Sequence, residues 1–473
     1  MARQVTTLAR EEERVEAHQA ALKKELGLRD LILQQIVFVV GTIWVGTAAK
    51  LGDSQLVFWL AAMLFFYLPQ AMVVIDLSRR MPLEGGLYQW ARLSLGELMG
   101  FLVAWNLWMF AVVLVSVIGL YVSTNLSYAI GPSAAWMASN KLLIVSMNVL
   151  VLSALMALAI IGLGVSKWLH SAGSIMLMLA FIVLIALPFV AVARGTLPSY
   201  RPLIFVMPAL TLFNLNVFGK MAMGALSGFE YVAVLAGETK DAAKSIAKAT
   251  MIAAPIIAVM FILGTSSVLA FIPIDKLDLI APIPQVLRTG FGNSGLGSIA
   301  AMIGILFITG RTIANSSIAF TGSTRMPMVA GWDNLLPAWF TKLHPRFRTP
   351  INSILTIGIV AMAFGAAGTI GVGEQEAFQL LDNAAGIFYG LTYLIMFAIP
   401  LIGLRNATPR PSLVLRVAAF SGFAVTLLFV VLSILPIIDV KSWLSFSLKI
   451  SSVVIGLNLV GVALFFTARR KKH

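Results

Sequence analysis

The chain has 473 residues, 59% of them hydrophobic and only 11% charged, with no cysteine and a formal net charge of +14. A soluble domain of this length needs about a quarter of its residues charged to solvate its surface; a mean hydropathy of +0.93 makes lipid the solvent instead. The absence of cysteine excludes a disulfide framework, a disulfide-linked subunit and thiolate metal sites.

Residues 1–28 are polar and charged (REEER, then LKKELGLRD). They lack the apolar core of a secretory signal and read as a cytoplasmic N-terminal arm. From 29 to 473 the chain reads as a single transmembrane domain. Twelve apolar segments follow one another, at about 30–49, 55–78, 97–125, 141–163, 171–194, 208–237, 249–272, 297–325, 352–371, 380–403, 413–436 and 446–468. A membrane helix needs about 20 apolar residues. The segments do not alternate as barrel strands do, so helices are the only spanning form open to them. The expected fold class is therefore all-α integral membrane, with twelve transmembrane helices. No soluble domain interrupts them; 80–96, 273–296 and 326–351 read as short loops.

If the N-terminus is cytoplasmic, the inner stretches hold most of the 34 Lys and Arg, among them Arg79, Arg80, Arg92, Lys167, Lys240, Arg346 and Arg410. The bias recurs loop after loop, which places both termini in the cytoplasm of a multi-pass cell-membrane protein. Topology and anionic lipid account for the basic charge, and no nucleic acid partner is required.

Two segments are interrupted. The first contains VVGTIWVGTAAKLG, with Gly41, Thr42, Gly46 and Thr47; the sixth contains GALSG at 224–228. Glycine in a membrane helix often marks close packing alone. The matched positions, five segments apart, instead fit an inverted repeat in which each half opens with a broken helix, about 30–194 and 208–403, with 413–468 as two extra helices. Unwound backbone in hydrocarbon costs several kcal/mol per bare polar group, so it must face a cavity or a ligand. Two such breaks side by side suit a zwitterion, the carboxylate at a helix N-terminal end and the ammonium at a C-terminal end.

Four stretches resemble the amino acid–polyamine–organocation transporters. GLRDLILQQIVFVVGTIWV (27–45) is similar to their first helix, and GALSGFEYVAVLAGETKDAAKSIAKA (224–249) to their sixth. MPLEGGLYQWARLSLGELMGFLVAW (81–105) resembles their loop into helix 3, and GSTRMPMVAGWDNLLPAWFTKLHPRFRTPINSI (322–354) their helix 8–9 connection. The resemblance runs over nearly the whole chain. It implies the LeuT-like fold, a 5+5 inverted repeat with helices 1 and 6 broken. It also implies transport of an amino acid or related amine, with helices 1, 2, 6 and 7 moving as a bundle. The substrate would lie between Gly41, Thr42, Ile43, Trp44 and Val45 on one side and Ala225, Leu226, Ser227, Gly228 and Phe229 on the other. Three departures stand out. Ile43 replaces the family's second glycine. Gly224 stands where some relatives carry a gating aromatic, which implies a roomier pocket or a gate supplied elsewhere. Segment 171–194 has no lysine, the coupling device of some proton-driven relatives.

Ionisable residues inside membrane segments are functional candidates by default. Glu230 reads as a proton site, a brace for unwound backbone, or both. Arg311, about 21 Å of helix from Arg325, reads as a substrate-carboxylate ligand or as the partner of Asp382 or Glu230. Asp382, at the start of segment 10, reads as an outer vestibule group. Lys220, nearer the outer end, reads as a snorkelling side chain. Ser316 and Ser317 are sodium candidates, since oxygen ligands suit a hard cation; coupling to protons, or substrate exchange, is expected ahead of sodium. No other cofactor is expected. An amino-acid-binding receptor or sensor that does not transport is the alternative; no metal cluster or nucleophile–base spacing marks an enzyme.

Overall fold

The computed structural model describes residues 27–81, 86–229, 242–325, 339–340, 342–404 and 409–470. The N-terminal arm and Glu230 lie outside the described residues. The described chain is helical in order α1 (Leu28–Val39), α2 (Trp44–Ala49), α3 (Gly52–Arg80), α4 (Leu87–Leu95), α5 (Glu97–Ile130), α6 (Lys141–Ile161) and α7 (Leu163–Ala193). It continues as α8 (Leu212–Gly219), α9 (Ala242–Phe271), α10 (Pro282–Phe291), α11 (Gly295–Arg325), α12 (Ile351–Gly368), α13 (Glu374–Gly403), α14 (Leu413–Leu432) and α15 (Trp443–Arg470). Among the described residues, 10 helices are long and apolar enough to cross a membrane.

Local chemistry sets the boundaries. Asn140 caps α6 by accepting from the Leu143 N–H at 3.0 Å, and Thr211 caps α8 by accepting from the Asn214 N–H at 3.1 Å, satisfying donors that a helix start leaves open. Three expectations change. The stretches 80–96 and 273–296, expected as loops, each contain a helix, α4 and α10. Gly86 (φ 47°) and Gly96 (φ 101°) bracket α4, and Leu87, Tyr88, Trp90 and Ala91 between them supply its buried face. Helix α7 starts at Leu163, so Lys167, assigned to a loop, lies within it. Helix α13 starts at Glu374 rather than 380, with Glu374 and Glu376 in its first turn, where acids favour a helix start.

Between helices in lipid, apolar burial drives little; close packing and interhelical hydrogen bonds hold them. Gly173 of α7 rests on Ala314 of α11, and Gly358 of α12 on Met156 of α6. Polar ties run between α1, α3, the α8 region and α9. Gln35 donates to the Tyr67 hydroxyl at 2.9 Å, Gln55 to Ser266 at 3.2 Å, Trp59 to Thr265 at 3.1 Å, and Gln70 to the Leu226 carbonyl at 3.0 Å. A second group is centred on α5, which packs against α11 and α13, while α7 packs on α11.

Candidate transport site

Helical hydrogen bonding lapses after α1. The Val40 N–H still reaches the Ile36 carbonyl at 2.9 Å; the next helical donors are Gly46 and Thr47, both onto the Ile43 carbonyl, at 3.0 and 3.1 Å. After α8 the chain widens into a π-helical turn, Lys220–Ala225, and residues 227–228 are not helical. Gly228 has φ 108°, a conformation glycine adopts without strain. Its N–H, lost to the helix, receives the Tyr393 hydroxyl of α13 as acceptor at 2.8 Å. The free backbone there is thus held from across the site.

Both interruptions open on one cavity of about 570 Å³. Gly41, Thr42, Ile43 and Trp44 line it from the α1–α2 link; Lys220, Met223, Gly224, Ser227 and Gly228 line it from the α8 side. Helix α5 contributes Leu107, Phe110, Ala111 and Tyr121; α11 contributes Arg311, Asn315 and Ser316; α13 contributes Asp382, Asn383 and Tyr389. Val45, Ala225, Leu226 and Phe229, expected in the same site, are fully buried and absent from its lining. Ser317 is buried away from the cavity, while Ser316 faces it.

Lys220 does not snorkel. It is 4% exposed and donates to the side-chain oxygen of Asn383, with Asp382 as its electrostatic counterpart. The reason is the helix start: α8 begins at Leu212, its π-helical turn opens at Lys220, and that residue faces α13 rather than lipid. The earlier start of α13 carries Asp382 two turns into the helix and onto the cavity wall. Arg311 is 6% exposed on α11, in the same continuous helix as Arg325.

Trp44 answers the question raised by Gly224. A Cβ on Gly224 would come within 2.6 Å of Cζ2 and Cζ3 of the Trp44 indole, and one on Gly41 within 2.6 Å of its Cδ1. The indole therefore fills the space over Gly224. The sequence reading missed the Phe110–Tyr389 stack, 4.4 Å between centroids at 7°. Aromatic residues at that spacing recur throughout apolar helices, so only the pairing of α5 with α13 distinguishes them. Trp105 of α5 donates to the Leu457 carbonyl of α15 at 3.0 Å.

The family model described as amino acid permease matches residues 31–459. The branched-chain amino acid permease BcaP of Bacillus subtilis is 25% identical, over 77% of this chain and 80% of its own. The methylthioribose transporter of the same organism is 25% identical, over 95% and 94% respectively. The crystal structure of MhsT in complex with L-phenylalanine shares the fold, with a TM-score of 0.57 at 15% identity, covering 85% of this chain and 97% of that one. Matched along nearly all of its length, the chain belongs to the amino acid permease family and is a multi-pass membrane transporter with a LeuT-like fold.

Proposed function

We propose that this protein is a secondary transporter that carries an amino acid, or a related amine or carboxylate, across the cell membrane by alternating access. In this reading the membrane is crossed twelve times. The pair α1–α2 forms one broken helix, α8 and the chain after it form another, and both termini are cytoplasmic. The observation that carries the reading is that both interruptions open on one cavity whose walls include Lys220, Arg311 and Asp382. Ionisable groups of both signs within a membrane bundle are expensive unless compensated, and a zwitterion brings both.

Relatives of equal identity are named for a branched-chain amino acid and for methylthioribose, so it is the charged lining that favours the amino acid. Arg311 is the group assigned to the substrate carboxylate, because it brings a guanidinium to the cavity wall from α11, opposite the two interruptions. Alternating access is supported by the way hydrogen bonds join α1, α3, the α8 region and α9 into one group. That group can tilt against the α5–α11–α13 group about the cavity. Two of its hydrogen bonds to α13, Lys220–Asn383 and Gly228–Tyr393, start from residues that line the cavity. Proton symport or substrate exchange is proposed ahead of sodium coupling.

The test is uptake by proteoliposomes of labelled L-alanine, L-leucine, L-glutamate and putrescine, with proton, sodium or counter-substrate gradients applied in turn. Saturable uptake of at least one, driven by protons or exchange, is expected. Arg311→Gln should lower uptake of the amino acids by about 10²-fold while sparing the amine, on the scale of losing a charged hydrogen bond. Binding without flux under every gradient would move the protein to the receptor class.

A further inference from the structure

We propose that Trp44 is the size-determining wall of the transport site, seated in a socket made by Gly41 and Gly224; the proposal rests on the transport reading above. The indole stands at the meeting of the two interruptions. On the side of its own link, a Cβ at Gly41 would approach Cδ1 to 2.6 Å and Nε1 to 2.7 Å. Across the interface, a Cβ at Gly224 would approach Cζ2 and Cζ3 to 2.6 Å. No real Cβ makes contacts that short, so both positions must lack one for the indole to lie as it does. All three residues also line the cavity, and Trp44 remains part-exposed there. A tryptophan needed only for packing would be enclosed, as Trp59 and Trp90 are, each 1% exposed.

Function follows from volume. The indole takes up space between the two interruptions, where the reading above places the body of the substrate. Removing it enlarges the site. Adding a methyl group to Gly224 shrinks it twice, by its own volume and by pushing the indole off its socket. The two substitutions therefore act in opposite directions on a single quantity, the largest side chain accepted. Each methylene gained or lost in an apolar pocket shifts selectivity by about 10-fold or more.

The experiment measures uptake of L-alanine, L-valine, L-leucine and L-phenylalanine by wild type, Trp44→Ala and Gly224→Ala in proteoliposomes. Trp44→Ala should raise the phenylalanine-to-alanine ratio of kcat/KM by about 10-fold, and Gly224→Ala should lower it by a similar factor. A second arm needs no substrate. The chain has no native cysteine, so Ser227→Cys on the cavity wall is the sole thiol and can be reacted with a small methanethiosulfonate and a bulky maleimide. The maleimide-to-methanethiosulfonate rate ratio should rise when Trp44→Ala is added and fall when Gly224→Ala is added. Unchanged ratios in this arm overturn the wall, whatever the substrate. If wild type carries neither the four amino acids nor L-glutamate and putrescine but the labelling ratios shift as stated, the transport reading above fails and the wall stands. If one variant fails to fold, the other still has a signed outcome in both arms.

Discussion

At Lys220 a single side chain shows how the cavity is held. Its ammonium is bound by Asn383 and faced by Asp382, all three on the cavity wall, with Lys220 and Asn383 buried and Asp382 half-buried. Removing the ammonium leaves the Asn383 oxygen without its donor and the Asp382 carboxylate without its facing charge, and an unsatisfied buried polar group costs about 1–3 kcal/mol. Lys220→Met should therefore lower the melting temperature of the purified protein and abolish most uptake. Asp382→Asn in the same chain should recover part of both, because it removes the charge left behind. Melting curves and uptake for the two single variants and the double one give the coupling directly. Additive losses would mean that the two charges act independently. Arg311 lies on a different helix, α11, and its removal should not be rescued by Asp382→Asn.

Elements meet most closely where side chains vanish. Gly119 of α5 lies against α6: a Cβ there would be 2.6 Å from the Asn148 Cβ and 2.9 Å from the Asn148 backbone nitrogen. The Gly119 N–H donates to the Asn148 side-chain oxygen at 3.3 Å, and Gly365 of α12 abuts the same asparagine. Backbone cannot step aside as a flexible side chain can. Gly119→Ala should destabilise by about 1–3 kcal/mol through overpacking, seen as a lower melting temperature. Gly456→Ala on α15, with open space around it, should leave the melting temperature unchanged. Helix α10 is fixed by a different device. Arg288 donates through Nε to the Tyr128 carbonyl at 2.7 Å, through a terminal nitrogen to Ser298 at 3.0 Å, and also to the Ala129 carbonyl. It thereby satisfies carbonyls that the end of α5 leaves open. Beside it Asp278 accepts from Tyr128 at 3.0 Å and from Gln375 of α13 at 2.7 Å. This polar knot joins α5, α10 and α13 at one end of the bundle. At the same end the Lys50 ammonium donates to the Ile274 carbonyl at 3.1 Å, and burial lowers its pKa against the pull of Asp439 and Asp275.

For the whole molecule, the orientation is proposed from charge distribution. With basic residues concentrated in alternate loops, the α5–α6 turn is proposed to face outward and the stretch before α12 to face the cytoplasm. Ser139 and Arg346 are both exposed, and the cysteine-free chain permits one thiol at a time. A membrane-impermeant maleimide applied to intact cells should label Ser139→Cys and spare Arg346→Cys, which should react only after permeabilisation. The reverse pattern would invert the proposed topology. The same experiment bears on mechanism, because the site lies between two helix groups that must open on opposite sides in turn.

Hydropathy alone determined that this is a multi-pass helical protein, because about 20 apolar residues in lipid have one stable spanning form. The glycine-rich stretches at 41–47 and 224–228 were equally legible, since interrupted apolar runs are visible in one dimension. The direction of each side chain was not. Val45, Leu226 and Phe229 stand beside cavity-lining residues in sequence yet point into the protein, because helical phase near an interruption is set by the neighbouring helices. Lys220 looked like a residue free to reach the headgroups, and Asp382 like one at a helix mouth. Only packing put both on the same wall, since their pairing depends on how α8 meets α13, 163 residues apart at the Lys220–Asn383 bond. The seat of Trp44 is of the same kind. The sequence shows Gly41 and Trp44 in one segment and Gly224 in another, 180 residues on; the tertiary structure makes them one socket, because an indole fits only where both Cβ atoms are missing.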